Sequence, residues 1–250
     1  MITKPFSHPG GKTFLAKWIL PLFPKHKCYC EPFCGSAAIF WQKPRGVAEV
    51  LNDANGDIAN CFRCLQRHAD AVKQELHLAV NSRAHFYALR DNPNATDIQR
   101  AAAFIIVKAL SFGADGNSFG VQRSQGGGAA NNLGSFEKKI YDFHERLQGV
   151  IIENKDWQSC LKTYDGRETF FYLDPPYTRG KISAYAAWGM KEVLGMVEVL
   201  RGCVGKWLVS LNDTLANRKA FRGFRIKAFT RPRGIKVTAK PYAELLIRNY

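Results

Sequence analysis

The stretch Thr169-Phe170-Phe171-Tyr172-Leu173-Asp174-Pro175-Pro176-Tyr177 decides how this chain is read. Its first five residues describe a strand covered on both faces, as found inside a parallel sheet. Two prolines then end the pairing, because each lacks an N–H donor and holds φ fixed. The Asp174 carboxylate and the carbonyls around Pro175 and Pro176 make a surface almost wholly of acceptors, which suits an amino group with two N–H bonds. Tyr177 offers a ring on which the planar group carrying that amine can stack. Open α/β sheets bind ligands at the carboxyl ends of their strands, and this segment falls at such an end.

Working outward, residues 28–33, 47–51, 150–153 and 206–210 read as further strands, with helical patterns at 58–65, 136–147 and 191–200. Residues 36–41 read as the start of a helix behind the first strand. The alternation predicts a doubly wound α/β sheet, mostly parallel. At the end of the chain, 224–229 and 243–248 read as two strands joined by a basic loop, a C-terminal antiparallel hairpin. The span 66–149 breaks the rhythm with helices at 69–81 and 97–110 and a loop rich in Gly, Asn and Ser from 113 to 134. It is expected to be a helical insertion into a catalytic domain made of residues 1–65 and 150–250.

The formal charge is +15 over 250 residues, and +9 of it falls in residues 214–250, where ten Lys/Arg face one Asp/Glu. Such clustering points to a polyanion, with nucleic acid ahead of an anionic membrane surface. The start of the chain lacks the basic flank and apolar stretch of a signal peptide. The longest apolar helical run, 101–110, is too short for a bilayer and contains Lys108. A cytoplasmic protein without a membrane partner is expected. Seven cysteines at irregular spacing fit a reducing compartment better than a disulfide framework. Cys61 and Cys64 form a CxxC, but on a helix and without a second pair, so packing is the default and no metal is expected.

Pro32-Phe33-Cys34-Gly35 occupies the turn after the first strand. Glycine there lets a ligand approach the backbone, and a following helix start offers N–H groups. Asp53 ends the next strand, where a carboxylate can accept hydrogen bonds from ribose hydroxyls; capping the following helix is the alternative. Together these point to an adenosine-containing cofactor. Gly10-Gly11-Lys12 lacks the spacing of a Walker A loop, so Lys12 reads either as a point charge for a carboxylate or as a surface lysine.

Taken in order, His8-Pro9-Gly10-Gly11-Lys12, Glu31-Pro32-Phe33-Cys34-Gly35, Leu51-Asn52-Asp53, Asn154-Lys155-Asp156-Trp157, Asp174-Pro175-Pro176-Tyr177, Ser210-Leu211-Asn212-Asp213 and Glu244 to Asn249 resemble the motifs of the Dam-type, D12 class (alpha group) DNA adenine-N6 methyltransferases. The resemblance covers nearly the whole chain outside the insertion. It implies a Rossmann-like catalytic domain, a target-recognition role for the insertion, and methyl transfer from S-adenosylmethionine to adenine N6 in double-stranded DNA without a metal. Carried onto this chain, His8, Lys12, Pro32, Phe33, Cys34 and Gly35 contact the cofactor, Asp53 its ribose, Asp156 its adenine amine and Trp157 its ring or edge. Asp174 faces both cofactor and target amine, and Pro175, Pro176 and Tyr177 complete the catalytic motif. The chain departs from the pattern at Ser7, His8 and Ala37, where a basic residue, an aromatic and a glycine are usual.

The expected DNA contacts are Arg231, Arg233, Lys236 and Lys240 in the C-terminal loop, and Lys108, Ser111, Asn117, Gln122 and Arg123 in the insertion. Gln122 and Arg123 carry side chains suited to adenine and guanine edges. A monomer is expected, with a cognate restriction endonuclease as a partner. The alternatives are methylation of RNA adenine or of cytosine N4, or a non-catalytic DNA-binding protein with a degenerate cofactor site.

Overall fold

A computed structural model describes residues 4–7, 12–46, 48–92, 95–111, 114–120, 134, 136–176, 188–231 and 242–250, apart from the side chains of Thr230, Arg231 and Tyr242. The chain divides into two compact units: residues 1–20, 35–45 and 53–154 form one, and residues 21–34, 46–52 and 155–250 the other.

The strands are β1 (Cys28–Glu31), β2 (Ala48–Asn52), β3 (Ile151–Glu153), β4 (Thr169–Leu173), β5 (Lys206–Asn212), β6 (Arg225–Arg231) and β7 (Tyr242–Arg248), in the sheet order β3-β2-β1-β4-β5-β7-β6. β1 pairs in parallel with β2 and β4, and β4 in parallel with β5. β7 then lies antiparallel between β5 and β6, which is the hairpin expected from the sequence. The result is the mixed, mostly parallel α/β architecture of a Rossmann-like domain.

All five residues of β4 are buried, as a central parallel strand requires. One face of the sheet carries Cys30, Val50, Phe171, Leu173, Trp207, Val209, Leu211, Leu245 and Ile247. They pack with Cys160, Leu161, Val193, Met196, Val197 and Leu200 of the helices at 157–164 and 190–201. Burying each large apolar side chain contributes about 1.5–3 kcal/mol, so this layer is the main source of stability of its unit. The opposite face changes character along the strands. Near the amino ends it is aromatic, with the Phe23 ring 4.6 Å from Phe170 and 5.5 Å from Tyr29. Toward the carboxyl ends it becomes polar, with Glu31, Ser210 and Glu244 buried.

The helices, in chain order, are α1 (Ala16–Ile19), α2 (Gly56–Arg67), α3 (Ala69–His77), α4 (Arg83–Arg90), α5 (Asp97–Leu110), α6 (Ile140–Leu147), α7 (Trp157–Tyr164), α8 (Met190–Arg201) and α9 (Leu215–Ala220). α2 to α6 belong to the first unit, where Trp41 packs on Phe40 and Phe143. Thr96 and Gln99 form a capping box that fixes the start of α5. Among the described residues no helix is long and apolar enough to cross a membrane.

Several local expectations change: α1, α7 and α9 stand where no helix is expected, and the helix expected over 136–147 is interrupted by a turn at 138–139 ahead of α6. Residues 36–41 form no α-helix, only a 3-10 turn at Phe40–Gln42, because Gly35 and Ala37 both take left-handed φ values of 49° and 52°. α3 stops at His77, short of residue 81. α4 stands where no helix is expected; Ser82 caps it, and Phe86 is its buried residue, too thin an apolar pattern to read as periodicity.

Candidate functional site

The carboxyl ends of β2, β1 and β4 lie side by side in the second unit, because the three strands are parallel neighbours. The chain therefore leaves them at Asn52, Glu31 and Asp174 along one edge. Asn52, fully buried, binds two of these segments and the start of α7 together. Its amide nitrogen donates to the carbonyls of Pro32 at 2.9 Å and Lys155 at 3.0 Å. Its amide oxygen accepts from the Lys155 N–H at 2.9 Å, and its own carbonyl accepts from the Cys34 N–H at 2.9 Å. Pro32, Cys34 and Lys155 are thereby held in fixed relation, and with them the side chains of Phe33, Asp156 and Trp157.

Asp156 is the N-cap of α7, and its Oδ1 accepts from the Ser159 N–H at 2.9 Å. The Ser159 hydroxyl, and then the backbone N–H groups at the helix start, hold this carboxyl below its usual range. Trp157 follows at the first helical position. Its ring stacks on Phe33 with centroids 5.9 Å apart, and Trp188, just ahead of α8, meets both edge-on at 5.3 Å from Phe33 and 6.3 Å from Trp157. Three aromatic rings thus cluster beside a carboxylate. The Trp188 indole N–H is buried without an acceptor among the described residues. Trp188 escapes a reading of the sequence because its neighbours form no motif; only packing brings it to Phe33 and Trp157.

Asp174 directly follows β4, partly exposed, with the side chain of Pro176 likewise and Pro175 buried. The Ser210 hydroxyl donates to Asp174 Oδ1 at 2.8 Å, and the Tyr172 hydroxyl lies 2.9 Å from Ser210 Oγ. Glu31, 2 % exposed, accepts from the Tyr29 hydroxyl at 2.6 Å. Acceptors dominate this end of the sheet.

In the other unit, Asp53 is also buried. Its Oδ2 accepts from the Gly35 N–H and its Oδ1 from the Asn55 N–H, each at 2.9 Å. The carboxylate therefore locks the turn after β1. The helix cap is a different residue: Asn55 accepts from the Asp57 N–H and opens α2. Lys12 is 4 % exposed, and its carbonyl accepts from the N–H groups of Leu15 and Ala16 at the entry to α1. Cys61 and Cys64, the CxxC pair, are buried thiols on α2, and burial pushes both thiols up.

Lys108, Ser111 and Asn117 come together at the turn that follows α5. Lys108 Nζ donates to the Asp115 carbonyl at 3.0 Å, Ser111 Oγ accepts from the Gly116 N–H at 3.0 Å, and Arg90 donates to the Asn117 carbonyl at 2.7 Å. Burial pulls the Lys108 ammonium below its usual range, against the opposing pull of the Asp115 charge. Arg231 ends β6 opposite Tyr242. His8, Tyr177, Gln122, Arg123, Arg233, Lys236 and Lys240 lie outside the described residues.

Residues 8–231 match the family model of the D12 class N6 adenine-specific DNA methyltransferases. The chain is similar to the type II methyltransferase M1.LlaDCHI of Lactococcus lactis subsp. cremoris, at 26% identity over 279 residues that cover 99% of this chain and 95% of that protein. It is similar to the DNA adenine methylase of Haemophilus influenzae, at 24% identity over 87% of this chain and 82% of that protein. The type II methyltransferase M.MjaIII of Methanocaldococcus jannaschii is 29% identical, over 71% of this chain and 70% of its own.

Proposed function

We propose that this chain, which belongs to the D12 class of N6 adenine-specific DNA methyltransferases, methylates an adenine swung out of double-stranded DNA, with Asp174 and the Pro175 carbonyl holding its amine. The observation that carries this reading is Asp174-Pro175-Pro176 at the carboxyl end of fully buried β4. The amine is out of reach inside the base stack, so the target nucleotide must leave it. Adenine N6 is a weak nucleophile because its lone pair is shared with the ring. Hydrogen bonds from N6–H to a carboxylate and a carbonyl favour a pyramidal nitrogen and stabilise the positive charge that grows on it. Alignment of the amine for in-line attack supplies the rest.

S-adenosylmethionine, which membership of this family implies, supplies an electrophilic methyl group on a positively charged sulfur. The residues present suit it: Phe33, Trp157 and Trp188 form an aromatic cluster for a purine, and the buried indole N–H of Trp188 calls for an acceptor. Asp156 stands at the start of the same helix to accept from an exocyclic amine, and Asp53 is the candidate for ribose hydroxyls. No thiol is required as a nucleophile. We place target recognition in residues 66–149 and phosphate contacts in the C-terminal loop, with Tyr177 stacking on the flipped base. In this reading the chain acts as a monomer, and a cognate restriction endonuclease is the partner against which the mark protects.

Transfer of labelled methyl groups from S-adenosylmethionine to duplex DNA, followed by nucleoside analysis, tests the proposal. N6-methyladenine is expected from the unaltered chain, and Asp174→Ala is expected to abolish it while the fold persists. Near-normal transfer by that variant overturns the mechanism. Label on cytosine, or on RNA only, overturns the substrate.

A further inference from the structure

The segment Ser210-Leu211-Asn212-Asp213 takes no part in the chemistry described so far. It ends β5, which runs parallel to β4 with Leu173 opposite Val209, so Ser210 stands beside the point where the chain leaves β4 for Asp174. Ser210 is fully buried and Tyr172 is 2 % exposed. Three oxygens follow one another: Tyr172 hydroxyl, 2.9 Å, Ser210 Oγ, 2.8 Å, Asp174 Oδ1.

The direction of this chain follows from donor and acceptor counting. The Ser210 hydroxyl donates to Asp174 Oδ1, so its one proton lies toward the carboxylate. A serine hydroxyl has one proton, so the Tyr172 hydroxyl must be the donor in the other bond. Burial, and then the charges of Asp174, Glu244 and Glu31, hold the Tyr172 phenol well above its usual range despite the opposing Ser210 bond. Tyr172 therefore stays protonated and available as the donor to Ser210. Hydrogen bonds in such a series strengthen one another where the surroundings have low dielectric.

We propose that Ser210 is a positioning residue for Asp174, and Tyr172 a positioning residue for Ser210, together fixing the plane of the carboxylate that receives the target amine. This rests on the methyl-transfer reading above. A carboxylate free to rotate offers its lone pairs to the amine in only part of its orientations. One held at Oδ1 by a buried hydroxyl does so without reorganising at the moment of reaction.

The test compares the unaltered chain with Ser210→Ala, Tyr172→Phe and the double variant. Steady-state methylation of duplex DNA is measured alongside calorimetric binding of S-adenosylhomocysteine and proton NMR of the unliganded protein. Losing a hydrogen bond to a charged group predicts that Ser210→Ala lowers kcat about tenfold to a hundredfold, while S-adenosylhomocysteine affinity and the KM for S-adenosylmethionine change less than about twofold. Tyr172→Phe lowers kcat about threefold to tenfold alone and adds nothing to Ser210→Ala, because it acts only through Ser210. In the unliganded protein a slowly exchanging hydroxyl proton is expected that disappears in Tyr172→Phe. Unchanged kcat in Ser210→Ala, or losses that simply add in the double variant, overturn the proposal. Absence of the hydroxyl resonance from the unaltered protein overturns the geometry behind it. If the resonance is present but no methyl group reaches adenine, the methyl-transfer reading fails instead.

Discussion

Asn52 uses both ends of its amide to hold segments that are far apart in sequence, donating to Pro32 and Lys155 and accepting from Lys155. Asn52→Asp keeps the shape but turns two donors into an acceptor facing two carbonyl oxygens. Leaving buried acceptors unmatched beside a buried charge predicts a loss of about 3 kcal/mol, read as a lower denaturant midpoint with unchanged slope. Asn52→Ala is expected to cost less, because it introduces no charge. A second residue stores strain. Ala37 is fully buried with φ at 52°, in the left-handed region that L residues enter at a cost of about 1–2 kcal/mol. Its departure from the glycine usual in this family is thus a conformational matter. Ala37→Gly relieves the strain but loses a buried methyl and gains chain entropy when unfolded, so these effects nearly cancel. Ala37→Val adds a β-branched side chain where the backbone tolerates it least, and a loss of at least about 2 kcal/mol is expected in the same titration.

Among the elements, β4 and α7 differ most in how far they can be read. β4 is legible because an unbroken apolar run followed by two prolines has few other physical meanings. The glycine turn and the C-terminal hairpin are legible for similar local reasons, whereas the hold of Asp53 on the Gly35 and Asn55 N–H groups is set by packing and has no signal in the local sequence. α7 is harder to read: Trp157, Cys160, Leu161 and Tyr164 share one face and all meet the core, but the pattern spans two turns only and includes a cysteine and two aromatics that stay half-buried, with the Asp156 cap as the other signal. The same holds for α4, which Ser82 starts. Asp156 is legible only as a member of a motif, since its capping bond and its proposed contact to a cofactor amine occupy the same carboxylate. The two roles separate by substitution. Asp156→Asn preserves a good N-cap, so stability is expected to stay within about 0.5 kcal/mol, whereas Asp156→Ala loses about 1 kcal/mol. Weaker S-adenosylhomocysteine binding in the stable Asn variant is the expected sign of the cofactor contact; equal binding by calorimetry removes Asp156 from that role. The pH dependence has a fixed sign. The carboxyl is held below the ordinary carboxylate range, so its contribution is complete above that range and is lost as pH falls through the lowered folded value. The stability difference between the unaltered chain and Asp156→Ala is therefore expected to shrink only below about pH 4.

At the scale of the molecule, charge is concentrated where the sheet ends. Residues 214–250 hold +9 of the net +15, and β6, at the outer end of the strand order, exposes Arg225 and Lys227. Charges on an edge strand discourage pairing with another chain, which accounts for these two without any ligand. Arg231, Arg233, Lys236 and Lys240 fall instead, in sequence, from the last residue of β6 to the stretch before β7, and no pairing rule calls for four cations there. The two groups are expected to respond differently to neutralisation. Each phosphate contact releases counterions and adds about 0.9 to the slope of log affinity against log salt for duplex DNA. Changing Arg231, Arg233, Lys236 and Lys240 together to Gln is therefore expected to lower that slope by about 3 to 4, while the methylated sequence stays the same, since phosphate contacts position without specifying. Arg225→Gln with Lys227→Gln is expected to leave the slope within about 1 of the original and to raise the tendency to self-associate. Binding isotherms from 50 to 300 mM salt (roughly the range over which such slopes are linear) decide between them: an unchanged slope in the fourfold variant moves the phosphate path away from the C-terminal loop, and an equal drop in both variants extends it along β6.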